Sequence, residues 1–310
     1  MCNQNILVHT KQPFFCLRKI HPGKDGMNSF MSWVGGKKAL REVILERFPL
    51  EYTRYIEVFG GGGWVLFYKP PGKDFEVYND RNRNLVNLYR CVKHHPMELI
   101  DELTFTLNAR EEFDYAKQVL ETRDDIPDIE RAAYYYQIIC QSYASGLESF
   151  AAQPRSMWSK FPLIMNASAR LQGVVIENRD FERVIRQYDR PESFFYCDPP
   201  YYATEDYYKD VGFTTSDHER LADCLAGIEG KFLLSYNDCP EIRDLYDGPE
   251  YRIESLTRLH NMKQRFNAGE QFPELLISNY DTQERREAQM QIPLIYPFNW
   301  DNNDDEEEIE

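Results

Sequence analysis

The tetrapeptide DPPY at positions 198–201 combines residue types that could hold an amino group for chemistry. It follows the apolar run 194–197, which is typical of a short buried strand. Because neither proline has an amide hydrogen, the strand must end there, and the carbonyl oxygens of Asp198 and Pro199 are less committed to local hydrogen bonds. A carboxylate and a carbonyl oxygen side by side can accept both hydrogens of an exocyclic amine, and Tyr201 can stack on an unstacked planar base. The alternative is an ordinary turn with a solvated aspartate.

A run of four glycines at positions 60–63 separates the apolar segment Tyr55–Phe59 from a predicted helix. Bare backbone at a helix start lets a ligand approach closely. Asp80 ends the next predicted strand, where its carboxylate can accept both hydroxyls of a ribose. The spacing is not the dinucleotide pattern G-x-G-x-x-G, and Lys73 lacks the G-K-[ST] context of a phosphate-binding loop. The pattern favours a nucleotide-like cofactor, with a purely structural turn as the alternative.

Alternating strands and helices must position these residues. The predicted strands are Tyr55–Phe59, Phe75–Tyr78, Val174–Ile176, Phe194–Cys197, Phe232–Tyr236 and Glu274–Tyr280. Helical segments between them predict an α/β fold with a mostly parallel sheet covered on both faces, and a helical insertion between the second and third strands. Because parallel strands end at one edge of a sheet, we expect the glycine run, Asp80 and Asp198 to lie together.

The net charge of −15 at first argues against a nucleic-acid partner. Seven of the negative charges lie in the last ten residues, however, so the rest of the chain carries −8. Net charge is also a poor guide to a local groove. The acidic end predicts a solvated, disordered tail, and mimicry of nucleic acid is the alternative.

Cysteine usage and hydropathy indicate the compartment. The seven cysteines are widely spaced and form no C-x-x-C pair, and the six histidines add no ligand-like spacing, so we predict neither a metal site nor a disulfide framework. No run of about 18 apolar residues predicts a membrane span, and the first 30 residues contain no apolar stretch typical of a secretory signal. We therefore expect a reducing cytoplasm and no membrane partner.

Seven segments, in this order along residues 31–281, resemble the motifs of Dam-type (D12 class) DNA adenine-N6 methyltransferases. They are WVGGK at 33–37, FGGGG at 59–63, NDRN at 79–82, ENRDF at 177–181, DPPY at 198–201, FLLSYN at 232–237 and ELLISNY at 274–280. Several motifs in the right order are far more specific than any one of them. The resemblance implies a Rossmann-like S-adenosylmethionine-dependent methyltransferase fold with an inserted, mainly helical DNA-recognition subdomain.

The same resemblance implies the reaction and its partners. The expected activity is transfer of a methyl group from S-adenosyl-L-methionine to the N6 amino group of a flipped adenine in double-stranded DNA, at a specific site. A cognate restriction enzyme is a further partner that this class allows. The implied catalytic residues are Asp198, Pro199 and Tyr201. The implied cofactor-binding residues are Trp33, Lys37, Phe59, Gly60, Gly61, Gly63, Asp80, Asp180, Phe181 and Asp198.

We expect five parts along the chain. These are an N-terminal leader, 1–30; the first part of the catalytic domain with the cofactor motifs, 31–96; the helical target-recognition insertion, 97–165; the second part of the catalytic domain, 166–296; and the acidic tail, 297–310.

Two residues depart from the family pattern. Trp64 is bulky where relatives have a small residue, and we expect it to narrow the cofactor pocket. Glu148 follows Gly146-Leu147 at a position where relatives that read GATC tend to have basic residues. GATC is therefore in doubt as the recognised sequence, although the reaction is not.

The best basic and aromatic stretch in the insertion lies at 155–161. We predict that Arg155 and Lys160, interleaved with Trp158 and Phe161, bind DNA, and an ordinary surface loop is the alternative. Two other functions stay open at this point: an amino-methylating enzyme of the same fold that acts on RNA or on a protein glutamine, and a catalytically silent DNA-binding protein.

Overall fold

A seven-stranded sheet forms the centre of the described structure, a computed structural model that describes residues 26–204, 212–259, 271–285 and 287. The strands are β1 (Arg54–Glu57), β2 (Phe75–Asn79), β3 (Val174–Glu177), β4 (Ser193–Cys197), β5 (Lys231–Asn237), β6 (Arg252–Leu259) and β7 (Gln271–Ser278). Their order across the sheet is β3-β2-β1-β4-β5-β7-β6. The first five are parallel, and β7 runs antiparallel to both β5 and β6.

The strand order changes direction between β1 and β4. From β1 the chain builds outward through β2 and β3, and it then returns to place β4 on the other side of β1. Every residue of β4 is buried, as expected for a central parallel strand with both faces covered. Such a switch point leaves a crevice beyond the carboxyl ends of the two central strands, where ligands of α/β sheets bind.

Helices cover the sheet. They are α1 (Arg41–Leu45), α2 (Trp64–Tyr68), α3 (Arg83–His94), α4 (Pro96–Thr104), α5 (Arg110–Thr122), α6 (Asp128–Gln141), α7 (Phe161–Leu171), α8 (Phe181–Tyr188), α9 (Thr215–Ala226) and α10 (Pro240–Leu245). Short 3-10 turns occupy Tyr143–Ser145 and Met157–Lys160. None of these helices, in the part of the chain that the structure describes, is long and apolar enough to cross a membrane.

The inserted helices share a hydrophobic core with the sheet. Nine residues of α6 are buried, among them Tyr136, whose hydroxyl donates to the Phe30 carbonyl at 2.8 Å. The ring of Phe30 lies between Tyr136 and Phe67, which belongs to α2 next to the glycine run. The helices that follow β2 are therefore packed directly onto the elements that form the crevice.

The predicted α/β fold is confirmed, and so is the position of the helical insertion between the second and third strands. All six predicted strands are present, although β1 ends at Glu57 rather than Phe59 and β7 ends at Ser278 rather than Tyr280. β6 was not predicted from the sequence; among the described residues it is an edge strand that pairs with β7 alone. Its sequence, RIESLTRL, has an apolar residue only at every third position, so it shows neither the alternation typical of a strand nor a continuous apolar run.

Two of the five expected parts fall largely or wholly outside the described residues: the leader at 1–30, of which only 26–30 are described, and the acidic tail at 297–310. The boundary at 165 falls inside α7, which continues to Leu171. The division into five parts stays a prediction.

A buried ion network joins α7 to the sheet. Glu76 of β2 accepts two hydrogen bonds from Arg170 of α7, at 2.6 and 2.7 Å, and one from Lys69 at 2.9 Å. Lys69 also contacts Asp74 at 2.7 Å. All four side chains are largely removed from water. Charges in such surroundings are tolerated only as long as every partner is present.

We expect Arg170→Met to lower the free energy of unfolding by about 3–5 kcal/mol, because it leaves the Glu76 carboxylate buried without its bidentate partner. Urea unfolding measures the change, and the double variant Arg170→Met/Glu76→Met should recover much of it. The control is Arg123→Met, which breaks an exposed pair with Asp125 and should change stability little. An effect of Arg170→Met as small as that of the control would show that this network does not stabilise the fold.

Candidate active site

A cavity of about 590 Å³ lies at the carboxyl edge of the sheet, at the switch point between β1 and β4. Loops from distant parts of the chain form its walls. They are the segments 33–37, 57–65, 79–82, 144–147, 179–181, 198–201 and 212–213, with Tyr196, Thr204, Asp217 and Arg220. The glycine run, Asp80 and Asp198 therefore meet at one edge of the sheet, as the strand pattern predicts.

Larger residues cannot replace the glycines of this run without a steric clash or a strained backbone. A Cβ on Gly60 would lie 2.1 Å from the Tyr78 ring, and Gly61 and Gly63 have φ of 49° and 62°. Gly63 is the N-cap of α2, so the run passes directly into the helix. The hydroxyls of Tyr78 and Tyr89 donate to the Gly61 carbonyl at 2.7 and 3.2 Å. These contacts leave bare backbone facing the cavity.

Asp80 is fixed beside this backbone. Its Oδ2 accepts a hydrogen bond from the Gly61 amide at 2.8 Å, and its Oδ1 accepts one from the Asn82 amide, also at 2.8 Å. Burial raises the pKa of Asp80 above its ordinary value, and these amide hydrogen bonds oppose that rise. The carboxylate is thus held at the cavity wall in one orientation.

Asn79 joins two strands at the same edge. Its side-chain amide donates to the carbonyls of Val58 and Arg179, at 2.9 and 3.1 Å, and its Oδ1 accepts from the Arg179 amide at 2.9 Å. This places the β3–α8 connection, with Asp180 and Phe181, against the end of β1. The sequence analysis quoted Asn79 within a motif but did not predict this connecting role.

Three aromatic rings form one side of the cavity. The Phe59 ring lies 5.6 Å from Phe181 and 6.0 Å from Phe213, and the last two are 6.0 Å apart. Phe213 was missed by sequence reasoning. It directly precedes Thr214, which forms a capping box with Asp217 at the start of α9. That T-x-x-D signature is the signal that could have placed Phe213 at this edge.

Asp180 begins α8 and is held by an arginine. Its Oδ1 accepts from the Glu182 amide at 3.1 Å, which caps the helix. Arg220 of α9 donates to both Asp180 oxygens, at 3.1 and 2.9 Å, and its guanidinium lies 4.2 Å from the centre of the Phe181 ring. Sequence reasoning missed Arg220, because nothing near it in the chain indicates a partner 40 positions away.

Lys37 and Asp198 form an ion pair at the other end of the cavity. The Lys37 ammonium donates to Asp198 Oδ1 at 2.6 Å and to the Gly35 carbonyl at 3.3 Å. It lies 4.7 Å from the centre of the Tyr201 ring, and the Tyr201 hydroxyl is 3.2 Å from Ser235 Oγ. Burial alone would lower the pKa of Lys37, but the adjacent Asp198 carboxylate holds it well above its ordinary value.

The ion pair shows that the Asp198 carboxylate can accept a hydrogen bond from a nitrogen donor in this cavity. A nitrogen donor occupies the carboxylate oxygen that the sequence analysis assigned to a substrate amine, and it approaches beside the Tyr201 ring. The Lys37 side chain is only 4% exposed, so the contact lies away from solvent. The end of β4 is therefore a protected site for a nitrogen donor next to an aromatic face.

Glu57 is a second carboxyl in the cavity wall, and the sequence analysis missed it. It ends β1, and its Oε2 accepts from the Tyr55 hydroxyl at 2.7 Å. Burial raises its pKa to about 8, although the Tyr55 hydrogen bond and the Leu66 amide oppose the rise. A neutral Glu57 at pH 7 adds no negative charge beside Asp198. A charged residue inside an apolar run is the signal that could have marked it.

Trp33 and Trp64 line the cavity and pack against its glycine-containing loops. A Cβ on Gly61 would come within 2.9 Å of the Trp33 indole nitrogen, so Trp33 lies directly against the loop. Trp64 lines the cavity in the first turn of α2 and touches Gly36, with the ammonium of Lys38 5.5 Å from its ring centre. This is the wall that the bulky residue was expected to narrow, and the narrowing itself stays a prediction.

The connection after α6 lines the mouth of the cavity. Ala144, Ser145 and Leu147 all have left-handed backbone, with φ of 50°, 57° and 62°, which is unfavourable for residues other than glycine. A bridge between Ser142 and Phe150 closes this loop at its base. Glu148, at its tip, is 90% exposed and lies 3.5 Å from Lys117.

The two predicted DNA-binding residues do not line this cavity. Arg155 and Lys160 line a second cavity, of about 340 Å³, at the end of α6. Trp158 beside them is 62% exposed, whereas Phe161 is buried with its ring 5.4 Å away. The structure thus separates these residues from the others named in the sequence analysis.

A parallel sheet with a cavity at its switch point, bounded by a glycine run and by DPPY, defines a Rossmann-like methyltransferase fold. A sequence model of the D12 class N6 adenine-specific DNA methyltransferases matches residues 33–267, and the chain belongs to this family. The family resemblance and the fold class expected from the sequence are both confirmed.

Curated relatives agree with the family. The chain is 28% identical over 288 residues to a type II methyltransferase of Lactococcus lactis subsp. cremoris, covering 84% of this chain and 98% of the relative. It is 29% identical over 290 residues to a type II methyltransferase of Methanocaldococcus jannaschii, covering 81% and 98%. A DNA adenine methylase of Vibrio cholerae serotype O1 is 27% identical over 254 residues, covering 74% and 88%.

The shifted pKa of Glu57 predicts a pH dependence of stability. Because the pKa rises from 4.5 to about 8 on folding, the native state keeps a proton between these values that the unfolded chain has released. This group therefore makes stability fall as the pH rises through that window, by at most about 1.4 kcal/mol per pH unit, and adds no further change above it. We expect Glu57→Gln to flatten the dependence between pH 5.5 and 7.5.

Urea unfolding at several pH values measures this slope. Glu46→Gln is the matched control, because Glu46 is exposed and should leave the slope of the parent unchanged. If Glu57→Gln and the parent have the same slope, Glu57 is ionised in the folded protein at neutral pH.

Proposed function

We propose that the protein transfers a methyl group from S-adenosyl-L-methionine to the N6 amino group of a flipped adenine in double-stranded DNA, at a specific sequence. The observation that carries this proposal is the position of Asp198. Its carboxylate accepts from a nitrogen donor beside the Tyr201 ring, in the same cavity as the glycine run. Family membership supports the same reaction.

The residues present fit the proposed cofactor. Gly60 and Gly61 line the cavity, and Tyr78 and Trp33 take the places where their Cβ atoms would lie, so no side chain of the run separates a ligand from its backbone. In this proposal Asp80 holds the ribose hydroxyls. When bound, S-adenosyl-L-methionine supplies an electrophilic methyl group.

The remaining cofactor contacts belong to the two ends of the cavity. We assign the cofactor adenine to the aromatic side formed by Phe59, Phe181 and Phe213, with Asp180 as an acceptor for its amino group. Trp33 and Lys37 contribute through their loop, which closes on the glycine run. Gly63 starts α2 and keeps the helix N-terminus directed at the same space.

For the reaction, the chain needs to position the target amine rather than to move protons. Asp198 and the Pro199 carbonyl accept its two hydrogens, which draws the nitrogen toward tetrahedral geometry and localises its lone pair. Tyr201 stacks on the base. Lys37 leaves Asp198 Oδ1 when the amine arrives and keeps its contact with the Gly35 carbonyl. Alignment of the reacting atoms then supplies much of the acceleration.

Further proposals follow from the family and from the curated relatives. DNA recognition is assigned to the helical insertion, 97–165, and within it to the stretch that contains Arg155 and Lys160. Some relatives are named type II methyltransferases, and on that likeness we propose a cognate restriction enzyme as a partner. The five cysteines in the described residues are free thiols, which suits the reducing cytoplasm that we propose as the location.

The proposed activity predicts that Asp198→Ala lowers methyl transfer by about 100-fold or more, because the target amine loses its charged acceptor. Binding of S-adenosyl-L-homocysteine should stay within a few-fold of the parent. Incubation with a labelled methyl donor and unmethylated duplex DNA, followed by mass spectrometry of the nucleosides, identifies N6-methyladenine.

Parallel reactions with RNA and with a protein fraction separate the other amino-methylating activities. Labelling of either of these in preference to DNA would contradict the proposed substrate, and no labelling at all would favour a silent binding protein. Substantial turnover by Asp198→Ala would contradict the role of Asp198.

We also expect Asp80→Ala to weaken binding of S-adenosyl-L-methionine by about 1–3 kcal/mol, because ribose hydroxyls would be left without an acceptor in a buried site. Calorimetry measures the affinity, and circular dichroism tests whether the fold survives loss of the Gly61 contact. The control is Asp125→Ala, an exposed position outside the cavity. Unchanged affinity of a folded Asp80→Ala protein would place the ribose elsewhere.

A further inference from the structure

The second cavity has a charge opposite to that of the chain. It lies between the end of α6 and residues 153–160, and its lining contains two cations, Arg155 and Lys160, and no carboxylate. The whole chain carries −15. Neutral hydrogen-bonding side chains complete the lining: Thr106, Asn108, Gln141, Gln153, Ser156 and Ser159. A polar cavity with cations and no acid is suited to an anion.

The two cations have different surroundings. Arg155 Nη1 donates to the Cys140 carbonyl in the last turn of α6, where a helix leaves carbonyl groups without partners. The Lys160 ammonium has no hydrogen-bond or ion-pair partner among residues 26–204, 212–259, 271–285 and 287. The Arg155 guanidinium therefore already binds a carbonyl of the cavity wall, whereas the Lys160 ammonium is available to a ligand.

The field of Lys160 reaches the interior of the cavity. Burial raises the pKa of the Cys140 thiol to about 11, and the positive charges of Lys160 and Arg155 oppose that rise. Cys140 is itself part of the lining. The positive charge of Lys160 is therefore felt electrostatically inside the cavity.

Three large apolar side chains that adjoin lining residues in the sequence are exposed. Phe105 is 87% exposed, and Leu107 and Trp158 are also largely exposed. They alternate along the chain with the lining residues Thr106 and Asn108 and with Met157 and Ser159. Cations interleaved with exposed aromatic rings are typical of surfaces that contact nucleic acid.

One segment connects the two cavities. Residues 144–147 line the first cavity and residues 153–160 line the second. The bridge between Ser142 and Phe150, together with the bond from the Ala151 amide to the Gln141 carbonyl at 2.8 Å, holds both halves on the end of α6. The two cavities are thus connected by one short stretch of chain, which is held at the end of α6.

We propose that the second cavity binds a phosphodiester group of the DNA duplex, through the Lys160 ammonium and the Ser156 hydroxyl, while Arg155 holds the cavity wall on α6. This assignment rests on the proposed function, since it takes DNA as the substrate. It separates two residues that the sequence analysis treated alike: Lys160 contacts the ligand, and Arg155 is mainly structural.

Binding of a fluorescent DNA duplex, measured by anisotropy over a range of salt concentrations, tests the proposal. Lys160→Met should weaken binding about ten-fold at low salt, the loss of one charge-assisted contact. It should also reduce the slope of log affinity against log salt by about one unit. Lys73→Met is the matched control, because Lys73 is an exposed lysine just before β2, at the opposite edge of the sheet, and it should match the parent in both respects.

Thermal unfolding separates the two roles. Arg155→Met should lower the melting temperature, because the Cys140 carbonyl loses its partner, whereas Lys160→Met should leave it unchanged. Duplexes with single methylphosphonate linkages, which carry no charge, then locate the contact. At one linkage the neutral group should weaken binding to the parent and have no further effect on Lys160→Met.

The outcomes are distinct. If Lys160→Met has the affinity and salt slope of the parent, the proposal is wrong. If its DNA binding is unchanged but inorganic phosphate, at constant ionic strength, stabilises the parent and not the variant, the cavity serves a soluble anion and the proposal is also wrong. If the parent methylates no DNA while Lys160→Met still loses DNA affinity, the proposed activity fails and the phosphodiester site stands.

Discussion

The close approach of backbone to side chains at Gly60 and Gly61 is the constraint on which the rest of the site depends. The Tyr78 ring occupies the space of a Cβ on Gly60, and Asp80 accepts the Gly61 amide. Both partners come from the end of β2, the strand next to β1, so the loop can form only when these two strands are paired in register. Sheet formation and cavity formation are thus a single event, and a side chain at Gly60 would disturb both.

Charge inside the cavity is balanced by a small number of groups. Lys37 neutralises Asp198, and burial keeps Glu57 protonated at neutral pH, so three ionisable groups together carry little net charge. Buried charges persist only in such pairs, because an isolated one would shift its pKa or destabilise the fold. The ion pair therefore occupies the Asp198 oxygen that, in the proposed reaction, accepts the substrate amine.

Features that depend on residues close together in the sequence could be predicted, whereas features that depend on residues far apart in the sequence could not. The central strands β1, β4 and β5 follow from continuous apolar runs, and the meeting of their carboxyl ends follows from parallel pairing. The edge strand β6 does not, since residues 252–257 are partly or fully exposed and the strand is defined by its pairing with β7 in the folded chain. Within the site, the glycines and Asp80 follow from local pattern. Arg220 and Phe213 do not, because each acts through a partner that only the folded chain brings near.

The same distinction explains why net charge misleads for this protein. Composition records −15, but the effect of a charge on a ligand depends on which charges are already paired. In the helical insertion, Lys117 lies 3.5 Å from Glu148, and Arg155 donates to a carbonyl in the last turn of α6. Both cations therefore already have partners within the protein. A cation contributes to the binding of an anion only if folding leaves it unpaired beside a cavity, and this property is invisible in a count of residues. An acidic chain can therefore present a local surface that attracts a polyanion, provided that its acids are placed elsewhere.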